Sequence, residues 1–263
     1  MLLCLMAWMQ IFLMVIDFSI DEFLGGKLKI KQPKKGYRAG IDPVLLAASV
    51  NASKGDNILE LGCGVGVASL CLAKRVAGLN IYGVEIQSDY AALAIENSQL
   101  NSMDLNVVSA DIGKLPDSVK QMQFDHVMAN PPYFERLAST MSLNRGRDAS
   151  RILQTPLSDW VSVIAQRLKQ KGWAHLIYRI DRFDKLFPLL TARFGSFVLT
   201  PIVPREDREA ELIMIHMRKS GKGAMRLESP LRLHKGHSHT SDANDYTETV
   251  SYTHLTLPTN REV

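Results

Sequence analysis

Short apolar runs alternate with stretches of helical periodicity along most of this 263-residue chain. Seven runs are rich in Val, Ile and Leu, which is typical of strands buried on both faces. They are Asn57–Leu61, Asn80–Val84, Asn106–Ala110, Phe124–Ala129, Gly172–Tyr178, Ser196–Pro201 and Glu211–Met217. Helical patterns lie between or beside them at Pro43–Ser53, Val67–Val76, Tyr90–Leu100, Leu157–Gln170 and Arg182–Phe194. This alternation predicts an α/β fold, a mostly parallel sheet with helices on both faces, and ligands at the carboxyl ends of the strands.

The strand predicted at Phe124–Ala129 is followed by Asn130, Pro131, Pro132 and Tyr133. This turn suits a planar, conjugated NH2 group, because the Asn130 side-chain oxygen and the Pro131 carbonyl can each accept a hydrogen bond from the amine. The prolines fix φ and so hold these acceptors in place. Tyr133 offers a ring on which a planar base or amide can stack. Taken alone, the four residues fit an ordinary proline-rich loop equally well.

A glycine-rich turn joins the first predicted strand to the next helix. It contains Gly62, Gly64 and Gly66, which let the backbone pass close to a ligand. A dinucleotide fingerprint requires glycine where Val67 stands, so that interpretation fails. Glu60 precedes the turn, where its charge would repel a pyrophosphate but attract a ligand carrying an ammonium group. S-adenosyl-L-methionine is such a ligand.

Two further acidic residues end the following strands. Glu85 ends the second strand, where a carboxylate can accept hydrogen bonds from both ribose hydroxyls of a cofactor. Asp111 ends the third strand and is a candidate to bind the adenine amine of that cofactor. Each carboxylate taken singly could equally be a solvated strand end. Together with Glu60, these two residues make three acidic strand ends in sequence order, and that pattern favours a cofactor site.

On these residues the chain resembles class I S-adenosylmethionine-dependent methyltransferases of the amino-methylating type. Within that class it is similar to bacterial tRNA adenine-N6 methyltransferases, whose best-known members modify the adenine just 3′ of the anticodon in a valine tRNA. The stretches that carry this second likeness are Asp21–Leu28, Gln32–Pro33, Gly36–Asp42 and Leu45–Ala48, and the likeness extends to Tyr246. It implies a Rossmann-like class I methyltransferase fold with a seven-stranded sheet.

The resemblance also implies roles for particular residues. It assigns cofactor or catalytic positions to Gly62, Gly64, Glu85, Asp111 and Asn130, and a cofactor-side N-terminal segment to Tyr37, Arg38 and Asp42. After Tyr133 the chain departs from many relatives, because it reads Asn144–Ala149 where they carry an acidic or histidine-containing stretch. Two alternatives to tRNA methylation therefore stay open: methylation of a protein glutamine amide, and a module that binds cofactor or RNA without turnover.

Composition agrees with one cytoplasmic enzyme domain. The chain is 46% hydrophobic and 22% charged, and its net charge of +4 with a pI near 8.9 permits RNA binding. Three cysteines form neither a metal pattern nor a disulfide framework, and Cys63 and Cys71 are expected to be small buried hydrophobes. No metal is expected, since His234, His237 and His239 lie in a polar stretch without partner ligands. Nothing in the sequence indicates an oligomeric state.

Both ends look foreign to the fold. Met1–Ile16 is apolar but lacks a preceding positive region and is short for a membrane span. Translation from Met14 is expected, with a membrane anchor as the alternative. We therefore treat residues 1–20 as a doubtful extension, 21–220 as the methyltransferase domain, 221–249 as its C-terminal segment and 250–263 as a non-native tail resembling translated adapter sequence. The Arg- and Ser-rich loop Glu135–Gln154 is expected either to close over a substrate or to be a solvated connection.

The sequence thus predicts transfer of a methyl group from S-adenosyl-L-methionine to the N6 amine of an adenine in tRNA. Asn130 and the Pro131 carbonyl would orient the nitrogen, and no strong general base is required because the nitrogen can lose its proton after attack. No stable membrane association is expected.

Overall fold

The computed structural model describes residues 17–132, 155–237, 245–248 and 250. Its centre is a nine-stranded sheet, and a separate two-stranded hairpin lies at the N-terminus. The hairpin consists of β1 (Phe18–Phe23) and β2 (Leu28–Pro33). The sheet contains β3 (Asn57–Leu61), β4 (Asn80–Glu85), β5 (Asn106–Ser109), β6 (Phe124–Ala129), β7 (Leu168–Arg179), β8 (Phe194–Val203), β9 (Leu212–Lys219), β10 (Arg226–Leu227) and β11 (Leu231–Arg232).

The strand order is β10-β8-β9-β7-β6-β3-β4-β5, and β11 also pairs with β8. All neighbouring pairs are parallel except β7–β9 and β8–β9. The predicted α/β class and mostly parallel sheet are confirmed. All seven predicted strands are present, and the two additional two-residue strands only extend the edge beside β8.

Six α-helices surround the sheet in the described part of the chain. They are α1 (Asp42–Ser49), α2 (Val67–Arg75), α3 (Ser88–Leu100), α4 (Asp117–Lys120), α5 (Leu157–Arg167) and α6 (Phe183–Thr191). The helix predicted to reach Gln170 is too long: it ends at Arg167, because Leu168 already pairs with Phe124 as the first residue of β7. Fully burying the Leu168 side chain in the sheet outweighs its good helix propensity.

Two apolar layers bury the two faces of the sheet. Leu59 and Val127 point into the layer under α5 and α6, whereas Ile58 and Met128 point into the layer under α1 and α2. This alternation is the period-2 geometry of strands covered on both sides. Cys63 and Cys71 are both buried, as expected of small hydrophobes.

The N-terminal hairpin was not predicted from the sequence. Its edge strand is covered by two asparagines one helical turn apart on α3. Asn97 bonds both the N–H and the carbonyl of Lys31, at 2.7 and 3.0 Å, and Asn101 does the same for Lys29, at 3.0 and 2.8 Å. The side-chain amides thereby take the place of a neighbouring strand and satisfy an otherwise open edge.

The termini lie partly outside this description. β1 begins at Phe18, so the fold includes residues inside the extension expected to be doubtful. Val250, the first residue of the expected non-native tail, is fully buried. Within the described ranges, no helix has the length and apolar character needed to cross a membrane.

Candidate active site

Four parallel strands end side by side and bring the predicted residues to one edge. Leu61 of β3 pairs with Val84 of β4 on one side and with Ala129 of β6 on the other. Continuing this register places Gly62 between Glu85 and Asn130. Neighbouring strands are about 4.8 Å apart, so the glycine turn, an acidic strand end and the Asn-Pro turn meet at one short edge.

The glycine turn has the backbone shape that its composition predicts. Gly62, Gly64 and Gly66 have φ angles of 68°, 54° and 87°, in the left-handed region that only glycine adopts readily. A Cβ on Gly62 would lie 2.9 Å from the Trp160 ring, whereas a Cβ on Gly64 would meet nothing within 4 Å. The turn is therefore packed underneath at Gly62 and open at Gly64, where a ligand could approach its backbone.

Glu85 is buried at this edge and organises the turn. Its two carboxylate oxygens accept hydrogen bonds from the backbone N–H groups of Gly64 and Gln87, each at 2.9 Å. Burial raises the pKa of Glu85, and these hydrogen bonds oppose the rise. It is 5% exposed, which rules out a solvated strand end. Each oxygen retains acceptor capacity for a ribose hydroxyl.

Glu60 is also buried, but its carboxylate bonds to α2. It accepts from the Ser69 backbone N–H at 3.0 Å and from the Ser69 hydroxyl at 2.5 Å. Burial raises the pKa of Glu60 to about 8, with the hydrogen bonds from Ser69 opposing and the charge of Glu85 adding to the rise. The structure thus gives Glu60 a structural role in joining the turn to α2. Contact with a cofactor ammonium stays a prediction.

The segment before α1 brings Tyr37 to the same edge. The Tyr90 hydroxyl, near the start of α3, donates to the Tyr37 carbonyl at 3.0 Å. Tyr37 is 57% exposed, yet crowding around its hydroxyl and the charges of Asp42 and Glu60 raise its pKa to about 12. Tyr37 and Asp42 therefore stand close to the buried acid of the glycine turn.

Arg38 points in a different direction. Its guanidinium donates to Asp21 at 2.5 Å, to the Ser19 hydroxyl at 2.9 Å and to the Pro33 carbonyl at 3.0 Å. These bonds fasten the segment to the hairpin. They provide no contact with the acidic edge, so a cofactor role for Arg38 stays a prediction.

The remaining predicted residues complete the edge. Asp111 accepts a hydrogen bond from the Gly113 N–H at 2.9 Å, which caps a short turn and holds the carboxylate beside the end of β5. Asn130 and Pro132 are half-buried, and Pro131 is buried. Tyr133 lies outside the described residues, as do Asn144–Ala149 and His239.

Sequence reasoning missed four residues that shape this site. Ser69 holds Glu60, Asn97 binds the Val65 carbonyl of the turn at 3.0 Å, Tyr90 holds Tyr37, and Trp160 packs beneath Gly62. Asn97 and Asn101 have the i, i+4 spacing of a single helix face, a signal that could have indicated a shared contact. The other three contacts arise from tertiary packing.

As a whole, the edge is acidic and partly open. Four acidic side chains, from Asp42, Glu60, Glu85 and Asp111, lie at or beside it, and Glu60, with a pKa of about 8, is mostly protonated at neutral pH. Such an edge fits a ligand carrying positive charge and several hydroxyl or amine donors. The described residues contain no group of three or more His, Cys, Asp or Glu side chains arranged to hold a metal ion.

Comparison with known protein families agrees with this geometry. The family described as methyltransferase small domain matches residues 39–174. A tRNA1(Val) (adenine(37)-N6)-methyltransferase from Glaesserella parasuis serovar 5 is 32% identical over 57% of this chain and 62% of its own length. The protein of the same name from Haemophilus influenzae strain 86-028NP is 33% identical over 62% of this chain and 70% of its own length. The chain thus spans less than two thirds of the Glaesserella relative.

Solved structures of methyltransferases share the fold. A predicted O-methyltransferase from Agrobacterium tumefaciens superposes with a TM-score of 0.65 at 22% identity, over 81% of this chain and 95% of that one. A T. thermophilus 16S rRNA N2 G1207 methyltransferase, solved with AdoMet and guanosine, gives a TM-score of 0.55 at 21% identity, over 77% of this chain and 50% of that one. At these identities the likeness shows the fold.

Proposed function

We propose that this chain, which belongs to the methyltransferase small domain family, binds S-adenosyl-L-methionine and methylates the N6 amine of an adenine in tRNA. One observation carries the proposal. The register of β3, β4 and β6 sets the glycine turn between a buried acidic strand end and Asn130. The turn proposed to bind the cofactor and the turn proposed to bind the amine therefore meet at the same edge of the sheet.

The described residues fit S-adenosyl-L-methionine. Glu85 would bind the ribose hydroxyls, the backbone at Gly64 has open space for close approach, and Asp111 would accept from the adenine amine. The cofactor, when bound, supplies an activated methyl group on a positively charged sulfonium. The carboxylates of this edge complement that charge, whereas they would repel a pyrophosphate.

The Asn-Pro turn would hold the target amine. The Asn130 side-chain oxygen and the Pro131 carbonyl accept hydrogen bonds from the two N–H bonds, which draws electron density onto the nitrogen. Neither proline carries an N–H donor that would compete for these acceptors. Positioning of this kind supplies much of the rate, and the nitrogen loses its proton after attack.

An adenine in tRNA is the substrate best supported. The relatives from Glaesserella parasuis and Haemophilus influenzae are named as tRNA1(Val) (adenine(37)-N6)-methyltransferases. The net charge of +4 favours a polyanionic partner such as tRNA, and a tRNA substrate would place the protein in the cytoplasm. Arg145, Arg147 and Arg151 would bind RNA phosphates, and all three lie outside the described residues.

The test incubates the purified protein and methyl-labelled S-adenosyl-L-methionine with one of two substrates in separate reactions. The first substrate is unmodified total tRNA, and the second is translation release factors, as protein substrates for glutamine-amide methylation. Label recovered as N6-methyladenosine in tRNA is the expected result. Label found only as methylglutamine in protein would replace the tRNA assignment with glutamine-amide methylation. Cofactor binding without any transfer would make the chain a binding module. The Asn130→Ala variant serves as the control for contaminating activity.

A further inference from the structure

Three histidines form a hydrogen-bonded row across the sheet, away from the candidate active site. His126, His175 and His216 stand on the neighbouring strands β6, β7 and β9, on the face covered by α1. Nδ1 of His126 lies 2.9 Å from Nε2 of His175, and Nδ1 of His175 lies 2.7 Å from Nδ1 of His216. At the far end, Nε2 of His126 lies 3.4 Å from a carboxylate oxygen of Asp56.

The Asp56 carboxylate sets the direction of this row, because it lies 3.4 Å from a ring nitrogen of His126. The Glu228 carboxylate, by contrast, acts on His216 through its charge and makes no hydrogen bond to it. Asp56 can only accept, so His126 carries its proton on Nε2 and presents Nδ1 as an acceptor. His175 then donates from Nε2 and accepts at Nδ1, which requires His216 to donate from Nδ1. Burial keeps all three rings neutral by lowering their pKa values, that of His216 to about 4. Nε2 of His216 is left as an acceptor, and it has no hydrogen-bond partner among the described residues.

His216 lies on the wall of an open cavity of about 960 Å³ between α1 and the part of the sheet formed by β6 to β11. The Glu228 carboxylate lies on the same wall, where it accepts a hydrogen bond from the Thr200 hydroxyl at 2.6 Å. Trp173 adds an aromatic ring to the lining, and Arg226 and Arg232 add positive charge. The wall therefore combines two acceptors, an aromatic surface and two cations. Arg232 also lies 3.5 Å from the Glu206 carboxylate, and the Arg218 guanidinium lies 5.6 Å from the Trp173 ring centroid, so a ligand would share these groups with their present partners.

We propose that this cavity is a second ligand site, for a nucleotide unit whose base carries an exocyclic amino group. The amino group would donate to Glu228 and to Nε2 of His216, the base would lie against Trp173, and the phosphate would bind Arg226 and Arg232. The unit is either a free nucleotide or one residue of an RNA chain. If the unit belongs to an RNA chain, the proposal rests on the proposed tRNA methylation; if it is a free nucleotide, the proposal does not.

The site is separate from the methyl-transfer edge. His216 pairs with His175, and His175 pairs with Met128 of β6, so His216 lies two strands (about 10 Å) across the sheet from β6 and level with a residue about 7 Å before Asn130. A nucleotide in the cavity would therefore be a second anchoring point and would take no part in the reaction.

The experiment follows the histidine rings by NMR in uniformly ¹⁵N-labelled protein saturated with S-adenosyl-L-methionine. Before any nucleotide is added, His216 should be the Nδ1–H tautomer. Cytidine 5′-monophosphate should shift the Nε2 resonance of His216, and uridine 5′-monophosphate, which offers a carbonyl oxygen in place of the amino group, should bind at least about tenfold more weakly. Cytidine without phosphate should also bind more weakly than its monophosphate.

Variants and a longer probe complete the design. Glu228→Gln should weaken binding of cytidine 5′-monophosphate about tenfold or more, whereas Glu209→Gln, at an exposed acid outside the cavity, should not. A short cytidine-rich oligoribonucleotide should bind more tightly than the mononucleotide if RNA is the source, and equally if a free nucleotide is. Any one of three results would overturn the proposal, whatever the outcome of the methyl-transfer assay. These are an Nε2–H tautomer at His216, equal affinity for cytidine and uridine 5′-monophosphate, and no shift of the His216 Nε2 resonance at about 10 mM cytidine 5′-monophosphate.

Discussion

At the scale of single residues, Glu85 combines two roles that a substitution can expose. Its carboxylate holds the backbone of Gly64 and would accept the cofactor ribose hydroxyls. We expect Glu85→Ala to weaken S-adenosyl-L-methionine binding about 10- to 100-fold, since hydrogen bonds to a charged group contribute roughly 1.5–3 kcal/mol each. Calorimetric titration measures this. Glu96→Ala, at an exposed acid on α3, is the control, and equal affinities for the two variants would refute the ribose assignment.

Asn130 separates binding from chemistry. If its side chain holds the target amine, Asn130→Ala should leave cofactor affinity nearly unchanged and lower turnover about 100-fold or more. Single-turnover assays with labelled cofactor give the rate, and titration gives the affinity. Asn106→Ala makes the same truncation at the start of β5, three strands away from β6, where the side chain bonds to the Ile81 carbonyl. Turnover of Asn130→Ala within a few-fold of this control would make the Asn-Pro turn purely structural.

At the scale of elements, the contact between α3 and the hairpin depends on Asn97. This fully buried side chain bonds Lys31 twice and the Val65 carbonyl once, so it joins the hairpin, the helix and the glycine turn. Asn97→Ala leaves buried backbone groups without partners, and we expect a loss of about 2–4 kcal/mol in the free energy of unfolding.

Urea unfolding measures this loss. Asn101→Ala removes the same amide one turn later, where its bonds to Lys29 are exposed to water, and should cost about 1 kcal/mol or less. Equal losses for the two variants would show that burial of the Asn97 network adds nothing.

At the scale of the whole molecule, buried groups on different parts of the sheet make stability depend on pH in opposite directions. The folded pKa of Glu60 is raised from 4.5 to about 8, so its contribution is full below 4.5 and is lost as pH rises through 8. The folded pKa of His216 is lowered from 6.5 to about 4, so its contribution is full above 6.5 and is lost as pH falls through 4. His126 and His175 act in the same direction as His216.

These opposing slopes predict greatest stability near pH 6.5. Below this value the three histidines outweigh Glu60. Above it Glu60 lowers stability, and Glu85 acts in the same direction. Urea unfolding between pH 4.5 and 8.5 tests the maximum. Glu60→Gln keeps the side-chain shape, but glutamine cannot ionise. The free energy of unfolding of this variant should therefore fall less between pH 6.5 and 8 than that of the unmodified protein. An unchanged slope in that variant would contradict the assignment of the high pKa to Glu60.

Much of the fold follows from local pattern. The strands β3 and β6 have the predicted bounds, because isolated apolar runs between polar turns leave little choice of register or length. The start of β7 was misjudged, since Leu168–Gln170 fits either element and pairing with β6 decided it. The hairpin β1–β2 was missed because its outer face carries lysines and its cover comes from side chains of a distant helix.

The sequence by itself determined the order of elements, the three acidic strand ends and the Asn-Pro turn, because each of these is a local pattern formed by residues that are adjacent in the chain. Only the tertiary structure decided what those residues do to one another. Glu60 and Glu85 are the same residue type near the ends of neighbouring strands, yet Glu60, the penultimate residue of β3, bonds to α2, and Glu85, the last residue of β4, bonds to the glycine turn. The row of His126, His175 and His216 likewise exists only because strands β6, β7 and β9 lie side by side, and long-range pairing of this kind leaves no mark in local sequence.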